Sequence, residues 1–309
     1  MTIAKPTIAL VGAGSLAASL AVTLHKAGFE VTEILSRDAA SSRRRARLLA
    51  AKVGAQQVTI NSTTLDAELL WFCVPDREIR HAAALLRDRI VEQKDLRRKI
   101  KVRFAIHSSG ALSSRELDPL RTEGISLASV HPLMTFVAGA HPALAGVPFA
   151  LEGDRAAMQA ARQIVRKLGG QSFRLPALRK AAYHAWATMT SPLLVAFLTT
   201  LEAAAGAAGL TRHEARRKSL PILRQTLENY SRLGPAGSFS GPLIRGDAET
   251  VAKHLAILKN REVREVYLAL ARAALRGLPV KNKNELKRLL RNEDATASMD
   301  ALSAAPSCS

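Results

Sequence analysis

The sequence predicts an α/β protein in which a doubly wound, mainly parallel sheet is followed by a smaller all-helical domain. Three observations carry this expectation. Short apolar runs alternate with helical patterns through the first half, a glycine-rich turn joins the first run to the first helix, and after Pro176 the pattern is helical throughout. The first strand is expected at 7–11 and its helix at 15–27, with Gly28 suited to follow a helix end. The second strand is 30–35. Asp38 can cap a helix that runs to about residue 53, where Gly54 ends it. A short third strand follows at 57–60, then an apolar fourth at 69–74, stopped by Pro75. Asp76 caps the next helix, to about 91; the charged stretch 92–99 reads as a loop and 102–106 as the fifth strand. Further strands are expected at 125–130, 148–151 and 172–175, with a helix from Asp154 to near Gly169. Helices then occupy 178–208, 212–233, 247–258 and 261–275, and Gly234-Pro235-Ala236-Gly237-Ser238 separates the second from the third. The expected division is 1–174 for the sheet domain, 175–291 for the helical domain and 292–309 for a flexible Ala/Ser-rich tail.

Composition narrows the function classes. The chain has 309 residues, 48% hydrophobic and 23% charged, which is a folded composition with length enough for two cores. Cys73, in an apolar run, and Cys308, in the tail, cannot make a disulfide framework. Lys+Arg 45 against Asp+Glu 26 gives a net charge of +19. The basic residues lie in separate segments, and aromatics are only 4% and not interleaved with them, so nucleic acid is not expected as the main partner. The uncharged stretch 185–201 contains Thr188, Thr190, Ser191 and Pro192. It reads as a buried helix between domains, and no membrane span is expected. Because the first strand starts so early, no cleaved leader and a cytoplasmic location are expected.

The strongest motif is Gly12-Ala13-Gly14-Ser15-Leu16-Ala17. It follows a strand and opens a helix, the context of a dinucleotide-binding turn. Gly12 allows the tight turn, Gly14 lets backbone N–H groups approach a pyrophosphate, and Ala17 permits close helix–strand packing. At the end of the second strand an NAD site usually carries Asp or Glu; here Ser36-Arg37 stands there, which suits a 2′-phosphate and predicts NADP(H) as cofactor. Arg43 to Arg47 read mostly as a solvated helix face. Val74-Pro75-Asp76 and Ser108-Ser109-Gly110 close the fourth and fifth strands, where ligands bind in open sheets, and are expected to flank the cofactor. No His/Cys/Asp/Glu cluster has metal-ligand spacing, so no metal is expected.

With these residues in view, the chain resembles the Rossmann-like family that carries the C-terminal domain of unknown function 2520. That group is similar in its first half to pyrroline-5-carboxylate reductase and the F420-dependent NADP oxidoreductases. The segments that carry the resemblance are His107-Ser108-Ser109-Gly110-Ala111, Val130-His131-Pro132-Leu133-Met134-Thr135-Phe136, Gly146-Val147-Pro148-Phe149, Tyr183-His184-Ala185, Gly241-Pro242-Leu243-Ile244-Arg245-Gly246-Asp247, Thr250-Val251 and His254-Leu255. The resemblance implies an NADP-linked oxidoreductase fold with a helical, often dimer-forming second domain, and names no substrate. One departure is Ser191-Pro192 where relatives tend to read Ser-Asn, so an amide is missing.

Hydride transfer needs orientation and a proton donor near the reacting carbonyl or imine. Lys180 and His184 are spaced i,i+4 and share a helix face. They resemble the Lys-x-x-x-Asn pair of β-hydroxyacid dehydrogenases and ketopantoate reductases. Lys180 is the expected proton donor, His184 its partner, and His131 a pocket residue. Ser191, Asn229 and Arg245 are candidate substrate contacts, with Asp247 an N-cap beside Arg245. The reading is an NADP-dependent reductase or dehydrogenase of a small polar carbonyl or imine, acting as a homodimer. A non-catalytic NADP(H)-binding sensor stays open beside it, motivated by Pro192.

Overall fold

A computed structural model of the chain describes residues 5–140 and 142–292; the expected tail from 293 on, with Cys308, lies outside the described residues. An eight-stranded sheet has the order β3-β2-β1-β4-β5-β6-β7-β8. The strands are β1 (Ile8–Val11), β2 (Val31–Ser36), β3 (Gln56–Thr59), β4 (Leu69–Phe72), β5 (Phe104–His107), β6 (Ser126–Pro132), β7 (Pro148–Gly153) and β8 (Gln171–Arg174). The first six are parallel. β7 runs antiparallel to β6 and β8 parallel to β7. Among the described residues no helix connects β6 to β7, which fits a return in the opposite sense without a crossover.

The two central strands explain the layering. Every residue of β1 and β4 is buried, and alternate residues serve opposite faces. Ile8 and Leu10 join the core built by α1 (Ser15–Lys26), α2 (Ala40–Val53) and, at the other end, α4 (Arg155–Lys167). Ala9 and Val11 join the core under α3 (Asp76–Asp95) and the 3-10 segment Ser114–Glu123. Helix α3 is longer than expected, because Arg89–Glu92 and Lys94–Glu123 pairs, both 2.6 Å, let its charged last turn stay helical in solvent.

The chain divides after Ser191 into two compact units. The boundary lies later than the expected residue 174, because α5 (Lys180–Thr190) buries Lys180 and Tyr183 within the sheet unit. The second unit holds α6 (Pro192–Ala204), α7 (Arg212–Ser238), α8 (Pro242–Arg245), α9 (Ala248–Ile257), α10 (Arg261–Gly277) and a helix over 283–292. Its caps are as polar as helix ends require: Thr211 and Glu214 form a capping box, while Asp247 and Asn260 accept from Thr250 N–H and Val263 N–H. Gly234 breaks α7 at φ +70°, where the sequence places its turn. Val251, Leu255, Leu268, Leu275 and Leu286 form the core.

The expected single helix over 178–208 is broken. Pro192 lacks the N–H that a continuing helix would use and instead starts α6, where that N–H has no partner to lose. The stretch Ala177–Ala208, with mean hydropathy 1.4, is long and apolar enough by composition to cross a membrane. Neither α5 nor α6, of 11 and 13 residues, reaches the roughly 20 residues a span needs. Nor is 185–201 the buried helix expected: Trp186 is 52% and Met189 67% exposed on α5, and Val195 is 58% exposed on α6.

Candidate functional site

Two constellations lie at the carboxyl ends of the parallel strands, both within the sheet unit. The first is a groove over the glycine turn. Gly12 has φ +112°, and a β-carbon there would stand 2.6 Å from the Cys73 carbonyl oxygen, so only glycine lets the turn pass β4 this closely. Its N–H donates to Leu35 O at 2.8 Å, tying the turn to β2. Gly14 caps α1 without a side chain, and a β-carbon on it would meet open space. The first helical bond runs from Ala18 N–H to Gly14 O at 2.9 Å, so the N–H groups before it face outward at the positive end of the helix.

A cavity of about 350 Å³ opens here, lined by Gly12, Ala13, Gly14, Ser36, Arg37, Val74 and Pro75. Seven of the expected cofactor residues thus meet at one groove. Ser15 and Leu16 do not line it: Ser15 is the first residue of α1, and Leu16 packs toward the core. Four polar lining residues escaped the sequence reading, namely Ser42, Arg45, Glu78 and His81. Ser42 and Arg45 are three apart on α2, so the helical period puts them on one face, and that was the available signal. Arg43, by contrast, is tied to Asp38 at 2.6 Å. Cys73 also lines the groove, where burial raises its thiol well above the usual range and keeps it protonated.

The second constellation joins β5, β6 and α5. His107 has no exposed surface; its Nδ1 accepts Ser109 N–H at 3.1 Å, so the proton sits on Nε2, which donates to Ser113 O at 2.9 Å. Burial lowers its pKa to about 4 against the Ser113 bond, which raises it. The expectation that Ser108, Ser109 and Asp76 face a cofactor is corrected here. Ser108 Oγ accepts Trp71 Nε1–H at 2.8 Å. Ser109 Oγ donates to Asp76 Oδ2 at 2.7 Å and accepts Ala111 and Leu112 N–H. Their polar atoms shape the loop.

Lys180 is likewise turned inward. It is 2% exposed, and its Nζ donates to Ser109 O at 3.0 Å and Ser129 Oγ at 2.6 Å. Burial lowers its pKa to about 8, with the Glu152 and Asp76 carboxylates opposing. The lysine expected to meet a substrate thus braces the loop between β5 and β6. On the other side of Gly110 stand two imidazoles. A β-carbon at Gly110 would lie 2.7 Å from His184 Cδ2 and 2.9 Å from His131 Nε2, so glycine lets both rings approach this closely, and a side chain there would displace one of them. His131 Nδ1 is 2.8 Å from the Tyr183 hydroxyl. The His131 ring stands edge-on to those of Tyr183 and His184, with centroids 5.4 and 6.3 Å away. Burial, reinforced by the Lys180 charge, lowers His131 to about 4, and burial pushes Tyr183 up to about 12.

This order of domains has counterparts. Residues 1–132 match the Rossmann-like domain and residues 147–274 the domain of unknown function DUF2520. The chain joins a Rossmann-like domain to a DUF2520 domain. No curated protein matches the sequence. Among solved structures, a Bacteroides fragilis protein assigned as an NADP oxidoreductase is 20% identical with TM-score 0.69, covering 87% of this chain and 97% of its own. A Thermotoga maritima protein is 24% identical with TM-score 0.66, covering 93% and 99%. Pyrroline-5-carboxylate reductase from Coxiella burnetii is 15% identical with TM-score 0.55, again covering 93% and 99%. At these identities the likeness establishes the fold.

The remaining expected contacts are scattered. Ser191 ends α5 at φ −126°, ψ −75°, its N–H donating to Ala187 O. Asn229, in the second unit, accepts from Gln225 Nε2 at 3.0 Å along α7. Arg245 is exposed and makes no ion pair among the described residues, and Asp247 is the N-cap expected of it. No group of three metal-ligating side chains occurs among the described residues.

His107 makes stability pH-dependent. Its folded pKa of about 4 lies below the ordinary 6.5, so the unfolded chain takes up the proton first, and stability present above 6.5 falls as pH drops toward 4. His131, also lowered to about 4, acts in the same sense, so urea denaturation is expected to show a loss on the order of 4 kcal/mol at about pH 5 relative to about pH 7, about half of it from His107. His107→Asn should shrink that difference; an unchanged difference would assign it elsewhere. Ser108→Ala should cost about 1–3 kcal/mol by the same assay, because it leaves the Trp71 N–H buried without an acceptor.

Proposed function

We propose that this chain is an NADP(H)-dependent oxidoreductase that transfers a hydride between NADPH and a small polar carbonyl or imine. The observation that carries it is the groove over the glycine turn. Open space above Gly14, outward N–H groups at the start of α1, and Ser36 with Arg37 and Arg45 fit a pyrophosphate and an additional ribose phosphate. The nearest carboxylate after β2, Asp38, is already paired with Arg43. The Bacteroides fragilis and Coxiella burnetii neighbours lend support by their described activities, the second named for a cyclic imine substrate.

Bound there, NADPH would supply the hydride. The chain's own part is to hold the diphosphate on backbone N–H groups and the extra phosphate on guanidinium groups. It also presents His131 and His184 beside Gly110, at the strand ends where the reacting carbon would lie. His131 and His184 take the proton-handling role, and Lys180 holds the loop beneath them. The sensor reading keeps one argument: the Lys180 ammonium and the Ser109 hydroxyl already have protein partners. Turnover of NADPH with any keto acid, imino acid or aldehyde removes that reading.

The proposed state is a homodimer. Among the 27 residues of α7 only Ala215 is buried, while Ile222, Leu227 and Tyr230 are more than half exposed, and a second copy would cover them. Analytical ultracentrifugation should give twice the chain mass, and Leu227→Glu should shift it to the monomer; a monomeric wild type defeats this. Fluorescence titration tests the cofactor. NADPH should bind more tightly than NADH, and Arg37→Ala or Arg45→Ala should weaken NADPH binding about tenfold or more while sparing NADH. Equal losses for both cofactors would remove the phosphate role.

A further inference from the structure

We propose that Tyr183 is the proton reservoir behind His131: its hydroxyl holds the imidazole with the Nε2 proton outward and replaces that proton when Nε2 delivers it to the substrate. This rests on the reductase reading above and adds a residue to it.

The geometry carries the argument. The Tyr183 hydroxyl and His131 Nδ1 are 2.8 Å apart, and Tyr183 keeps 7% of its surface exposed. Nδ1 is the one hydrogen-bond partner of the Tyr183 hydroxyl among the described residues, so the O–H donates there and Nδ1 accepts. The imidazole proton must then be on Nε2. That nitrogen makes no hydrogen bond among the described residues. It is also absent from the buried unpartnered side-chain atoms, which belong to Ser19, Arg89 and Gln93, so it reaches accessible space. Gly110 is what allows the ring to sit there, since a β-carbon would stand 2.9 Å from Nε2.

The surroundings exclude the simpler route through a charged imidazolium. Lys180 and His184 on α5 and His107 on β5 all face His131, and each opposes a positive charge on it. A neutral imidazole alone is too weak an acid, because losing Nε2–H would leave an imidazolate. Coupled to Tyr183 it need not form one. As the carbonyl or imine carbon receives the hydride, its π pair becomes a lone pair on oxygen or nitrogen. The Nε2–H bond breaks and its proton forms the new O–H or N–H bond. At the same time the Tyr183 O–H bond breaks and its proton forms Nδ1–H. The imidazole ends as its other neutral tautomer, the phenolate takes a proton from water, and the substrate's gain of two electrons matches the oxidation of NADPH. Tyr183 acts through His131 and is a positioning and proton-supplying residue.

The test uses the full chain, ¹⁵N-labelled at histidine, with Tyr183→Phe, which keeps the ring and removes only the hydroxyl. In the wild type, the His131 signals should show an unprotonated Nδ1 and a protonated Nε2; in Tyr183→Phe the two tautomers should mix. With 1-pyrroline-5-carboxylate and glyoxylate as probes, kcat should fall about 100-fold or more in Tyr183→Phe, with NADPH affinity unchanged. His131→Asn should fall as far, and the double variant no further. An Nδ1–H tautomer in the wild type, or an unaltered kcat in Tyr183→Phe, overturns the relay alone. Failure of the wild type to bind NADPH, or to turn over either probe with NADPH bound, overturns the reductase reading and the relay with it.

Discussion

The bonds of one ammonium group organise the carboxyl edge of the sheet. Lys180 brings its charge to where β5 and β6 end, and there it finds a carbonyl and a hydroxyl rather than a carboxylate. Ser129 Oγ also donates to the Ser109 carbonyl at 3.1 Å, so three polar groups form a closed set with little access to water. Removing the lysine would take a charged donor from both, leaving only the bond between Ser129 Oγ and the Ser109 carbonyl. Because Lys180 stands at the first turn of α5, the same bonds set where Tyr183 and His184 fall, three and four residues on. Helix α5 therefore belongs to the sheet unit, although its composition resembles that of the helices after it.

Burial and charge then divide the labour along this edge. Over the glycine turn the chain presents backbone donors, two serines and two arginines, which suit anions, with the Glu78 carboxylate also on the lining. Beside Gly110 it presents His131, whose positive charge is opposed by burial and by Lys180, together with His184. The guanidinium groups and the imidazoles thus stand on separate elements, Arg37 after β2 and Arg45 on α2, His131 on β6 and His184 on α5. The loop linking them, through Asp76 and Ser109, is held by a 2.7 Å bond between the start of α3 and the end of β5.

Much of this was legible in the chain itself, for reasons of range. The glycine turn, Ser36-Arg37 and Val74-Pro75 are local signals: a strand period that changes to a helix period, with special residues at the change. They meet in one groove because parallel strands bring their carboxyl ends together. What escaped depends on long-range pairing. Nothing near Lys180 in sequence says that its partners are Ser109 and Ser129, and Ser109 looks as free as any serine until Asp76 is placed beside it. Tyr183 reads as an ordinary helix aromatic until β6 delivers His131. Arg45 was hidden by its neighbours, since a run of arginines suggests a solvated face. Pro192 was noted as a departure, yet its effect on the helix required seeing that α6 begins with it.

Gly110 carries a consequence for any chain built on the same plan. Two imidazole rings from different elements, β6 and α5, rest against a single α-carbon, and any larger residue would push into both. Alanine there would force one ring aside, and with it the bond to Tyr183 or the edge-on contact between the histidines. A substitution at 110 is therefore felt at both 131 and 184. A related sequence that carries a side chain at 110 has given up this pair of rings, and with it whatever chemistry they perform.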